Sequence, residues 1–131
     1  MSDTVTIQVG SGELIDKITI LEIKSDRISD ADKLANVRRE LAVLTQTLGE
    51  QVQPSDELSA LTGELKTINE ALWEIEDDIR ACEAEKDFGE KFIELARAVY
   101  ITNDKRAAVK KQINLLTGSS IIEEKSYTEF D

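Results

Sequence analysis

The chain has 131 residues, enough for one modest core and too few for two domains of ordinary size. Aromatic residues make up only 5%, so that core is built from Leu, Ile, Val and Ala; 27 Asp and Glu against 16 Lys and Arg disfavour binding to nucleic acid or an anionic membrane surface. Histidine is absent, which removes imidazole general-base chemistry and the commonest zinc ligand, and the single cysteine, Cys82, cannot form an internal disulfide.

At the N-terminus Val5, Ile7 and Val9 alternate with Thr4, Thr6 and Gln8, the period-2 pattern of a half-buried strand. A lone strand needs a partner, so the pattern predicts a short β-strand paired either with the tail around Ile121 and Ile122 or with the same strand of another subunit. Strand and turn occupy residues 1–11, with Ser11 as an N-cap. Asp3 and the lack of a basic start or apolar run argue against a signal peptide, and no stretch approaches the ~20 apolar residues of a membrane span. The expectation is a bacterial, cytoplasmic protein.

The first helix is expected from about Glu13 to Ile28, with Leu14, Ile18, Leu21 and Ile28 as its apolar face. Glu22 falls inside that arc and needs a partner, whereas Glu13 and Asp16 lie on another side and are expected to be wet. Ser29, Asp30 and Asp32 end this helix and cap the next, where Leu34, Val37, Leu41, Leu44 and Leu48 repeat at heptad spacing. That pattern predicts an antiparallel neighbour for the third helix, separated from it by a loop around Pro54, after which Ser55 or Asp56 supplies the start signal.

The third helix carries the longest seam. Leu58, Leu65, Leu72 and Ile79 recur every seven residues, as do Leu61, Ile68, Ile75 and Cys82. At ~1.5 Å per residue the seam runs about 37 Å and calls for nearly parallel partner helices. A fourth helix from about Glu90 to Leu116 answers it with Leu95, Val99, Val109, Ile113 and Leu116, but its two middle seam positions are Thr102 and Arg106. Gly118 is the stop, and residues 119–131 form an irregular tail. The whole reads as one domain, 1–131: an all-α, antiparallel bundle of about four helices with a long coiled-coil-like hairpin and one short N-terminal strand.

Three constellations could carry chemistry. Arg106, with Glu22 and Glu76 as carboxylate partners, forms a polar core layer that either fixes helix register or binds a phosphate or carboxylate, with Lys105 and Lys110 nearby. Glu70, Glu74 and Asp77 share one helix face; they either hold Mg²⁺ or form a solvated helix back with Lys66 and Arg80 as neighbours. Trp73, off the seam, either packs against the terminal segments or anchors a partner.

The runs GELIDKITILEIKSDRI, KLANVRRELAVL, LWEIEDDIR, FIELARAVYITNDKRAAVKKQIN and EEKSY resemble, over nearly the whole chain, a small bacterial family of unknown function; the resemblance brings no functional residues with it. More loosely, Glu74 to Asp77 and Glu13 to Asp16 are similar to the ExxD metal pairs of all-α nucleoside triphosphate pyrophosphohydrolases, although no ExxE pair precedes Glu74 at the usual distance. The sequence therefore reads as a non-enzymatic interaction or assembly module that self-associates, with no cofactor and with a further protein partner as an option. The alternative is a Mg²⁺-dependent pyrophosphohydrolase.

Overall fold

The computed structural model describes residues 3–130; Met1, Ser2 and Asp131, at the ends of the expected N-terminal segment and tail, lie outside the described residues. The chain is all-helical: α1 spans Ser11–Arg27, α2 Ala31–Gln51, α3 Asp56–Glu85 and α4 Glu90–Thr117. Two of the side chains expected to start helices do so. Asp30 accepts from the Lys33 amide at 2.9 Å and Ser55 from the Leu58 amide at 3.1 Å. Ser11 departs from expectation: Gly10 is the N-cap of α1, and the Ser11 hydroxyl sits inside the first turn, bonded to Thr117 of α4.

α3 and α4 end in the same way. Gly118 (φ 71°) lets the Ser119 amide reach back to the Asn114 carbonyl at 2.9 Å, and Lys86 (φ 57°) does the same for Asp87 and Cys82, also at 2.9 Å. Lys86 thus holds a left-handed conformation that glycine would take at less cost.

The short first helix, not the long third one, is the hub. α1 touches α2, α3 and α4, α3 runs back along α4 as a hairpin, and α2 lies along α1 rather than along α3. The heptads of α2 thus serve a different neighbour from the one expected, and only Val37 on that helix is buried. On α1, by contrast, Leu14, Ile15, Ile18, Leu21 and Ile23 are all buried, because three helices cover it. The core is centred on Ile15, Leu58, Leu65, Val109 and Ile113, with Leu48, Val52, Leu61 and Ile68 packed around it.

No strand forms among the described residues. Residues 5–9 have no regular structure, and Val5 is 90% and Ile7 72% exposed, so the alternating pattern has no sheet to bury against. The tail near Ile121 comes close at Gly10, without a ladder: a Cβ on Gly10 would lie 2.5 Å from the Ile121 carbonyl oxygen. Among the described residues, no helix is long and apolar enough to cross a membrane.

Candidate functional site: a buried charge network beneath a lysine-lined groove

The polar layer is built where α1 passes between α3 and α4, and its centre is Asp16, only 1% exposed. One carboxylate oxygen accepts from the Asn69 amide at 2.9 Å and from Arg106 Nε at 3.0 Å. The other accepts from Arg106 Nη2, with Lys110 Nζ at 3.8 Å. Asn69 also donates to the Thr19 hydroxyl at 2.9 Å, and Thr19 in turn donates to the Asp16 carbonyl at 2.8 Å. Among the described residues, no buried side-chain nitrogen or oxygen lacks a hydrogen-bond partner. A forked guanidinium plus an amide is what a carboxylate removed from water needs.

The hydrogen bond that Arg106 donates to Asp16, partly opposed by desolvation, raises the guanidinium above its ordinary pKa. A raised cation loses its stabilising contribution only as pH climbs through that raised value, so Arg106 stays charged far into the alkaline range.

Arg106 is therefore in an inner layer, but its carboxylate partner is Asp16, which it shares with Asn69. Glu22 is half-exposed and reaches Lys66 at 4.0 Å, and Glu76 is exposed and pairs with Arg80 at 3.2 Å. The physical reason lies in α1: covered on three sides, it has no single wet arc, so the side read as solvated from its own apolar face is turned towards α3 and α4. Lys110 does enter the site, with Nζ 2.6 Å from Glu13, while Lys105 is exposed on another part of α4.

Glu70, Glu74 and Asp77 are brought together around a cation of the protein's own. Arg27 pairs with Glu74, lies 6.0 Å over the Trp73 ring, and has its pKa raised by the Glu74 hydrogen bond first, with Glu70 and Asp77 contributing through space. Trp73 is half-buried beneath it. Among the described residues, no three His, Cys, Asp or Glu side chains converge closely enough to hold a metal ion.

Above the polar layer, α1 and α4 meet at backbone distance. The Gly12 amide donates to Asn114 Oδ1 at 2.7 Å, and a Cβ on Gly12 would lie 2.4 Å from the Lys110 carbonyl oxygen. The terminal segments flank this contact and leave a groove of about 490 Å³, floored by Ala107, Lys110, Lys111 and Asn114 of α4. Sequence reasoning named Lys110 but read Asp16 as solvated, and it missed Asn69, Asn114, Lys17, Lys111 and Lys125. The available signals were the paired glycines at 10 and 12, marking close approach, and the unpaired polar break in the α4 seam.

Fold and site thus define a small acidic all-α protein whose central helix is held by an internal charge network. Its family follows from the sequence: residues 5–130 match a family of unknown function (DUF6165), and the chain belongs to that family. No curated protein and no solved structure matches it.

Proposed function

We propose that this is a non-enzymatic interaction module that self-associates through the outer part of the α3–α4 hairpin. One observation carries the reading: the apolar seam of α3 continues to Cys82, while the hydrogen bonds and ion pairs of α1 to α3 extend no further than Glu74 among the described residues. From Ile75 outward the seam makes no hydrogen bond or ion pair to α1 among the described residues, and of its apolar positions there Cys82 alone is buried. Two helices bury one stripe each, so Ile75, Ile79, Leu95 and Val99 remain only half-buried, and Phe88, Ile93 and Tyr100 are exposed. A second copy laid against this arm would complete a four-helix arrangement and cover those residues.

The test is the mass of the full chain in solution by light scattering across a concentration series, for the natural protein and for Ile93→Glu. Ile93 is 53% exposed, so the variant keeps its fold. A dimer or higher species that Ile93→Glu converts to monomer supports the reading. A monomer at all concentrations, or turnover of any nucleoside triphosphate with Mg²⁺, overturns it.

A further inference from the structure

The groove between the terminal segments differs in charge from the rest of the molecule. The chain carries a net charge of −11. Around the groove stand Lys17, Lys110, Lys111 and Lys125 against Glu13 and Glu123, leaving two positive charges in excess. The lysines come from three elements, α1, α4 and the tail, so their convergence is a product of the fold and not of a local run. Between them the lining is apolar, from Ile7, Val9, Ala107 and Ile121. The volume, about 490 Å³, lies in the range of small-molecule sites, which pair apolar walls with a few placed polar groups.

The ion pairs inside the groove show which charges are already spent. Lys110 is held by Glu13 at 2.6 Å and has Glu123 at 3.7 Å. Lys17 meets Glu13 only at 3.9 Å, and Lys111 meets the exposed Glu124 at 4.0 Å; both lysines are about half exposed. Contacts of that length between exposed groups are weak and readily exchanged. Glu123, itself mostly exposed and carried on the tail, sits on Lys110 where an external anion would sit. The alternate residues Ile121, Glu123 and Lys125 line the groove, the set that an extended segment turns to one side.

We infer that this groove binds a small organic anion, a carboxylate or phosphate attached to an apolar body, with Lys17 and Lys111 pairing the anionic head and Ile7, Val9 and Ile121 covering the body. Binding displaces the Glu123 carboxylate from Lys110. This site is separate from the α3–α4 arm and does not depend on self-association.

The experiment titrates the ¹⁵N-labelled full chain with phenyl phosphate and with benzoate, using inorganic phosphate and phenol as controls. Saturable amide shifts centred on Gly10, Gly12, Asn114 and Ile121 are expected with at least one of the two aromatic anions, and the tighter of them identifies the head group. Inorganic phosphate and phenol, each lacking half of the ligand, bind at least about tenfold more weakly. Lys17→Gln with Lys111→Gln, both at exposed positions, weakens binding about tenfold or more, whereas Glu123→Gln tightens it by removing the internal competitor. No saturable shift with either aromatic anion, phenol binding as tightly as they do, shifts confined to the arm, or indifference to the lysine changes would each overturn the inference.

Discussion

Two arginine–carboxylate pairs tie α1 to its neighbours, and they have opposite physical standing. Arg106 and Asp16 meet between helices, with Asp16 sealed from water and its acceptor positions taken by Arg106 and Asn69, and Lys110 close by. Arg27 and Glu74 meet at the rim, where Glu74 is mostly exposed and water can replace either partner. The chemistry is the same. What differs is the alternative open to each charge once its partner is removed: hydration at the rim, an unpaired charge in the interior.

The largest expected effect comes from breaking the inner pair. Asp16→Ala leaves Arg106 and Asn69 without their shared acceptor and should lower unfolding free energy by about 3–5 kcal/mol, read from denaturant unfolding. Replacing the whole cluster sharpens the comparison: Asp16→Leu, Asn69→Leu and Arg106→Met together should recover most of that loss, because charge and partners leave at once. If the triple variant is as unstable as Asp16→Ala, shape rather than charge governs the layer. Next comes Gly12→Ala, whose methyl would press on the Lys110 carbonyl; moving α1 off α4 should cost about 1–3 kcal/mol in the same measurement. Smallest is Arg27→Gln. Its change in thermal midpoint should fall below the others and shrink further at high salt, since screening acts on exposed pairs.

The same contrast marks what the sequence could reveal. Helix number, the caps at Asp30 and Ser55, the stop at Gly118 and the polar break at Arg106 were all legible, because each follows from spacing or local backbone chemistry. The partner of Arg106 was not. Periodicity places residues on a helix relative to one another, but whether Asp16 or Glu22 is turned inward depends on how many neighbours cover α1, which is a tertiary fact. The strand failed for a related reason. Val5, Ile7 and Val9 have the right alternation, yet a strand exists only through pairing, and no ladder forms on residues 5–9. The heptads of α2 correctly signalled a helix with a partner, but they were read against α3 and the partner is α1.

The close contact of Gly12 with Asn114 also bears on how the chain reaches its native state. It joins residues 102 positions apart, and Asp16 joins Arg106 across 90, whereas the α3–α4 hairpin closes through the short turn after Glu85. Long loops are entropically slower to close, so the hairpin should form early and the first helix should dock last. Variants at Asp16 and Gly12 should then accelerate unfolding while leaving the refolding rate nearly unchanged in stopped-flow chevrons. Of these four helices, the one synthesised earliest would be the one whose place is settled only after α4 has been made.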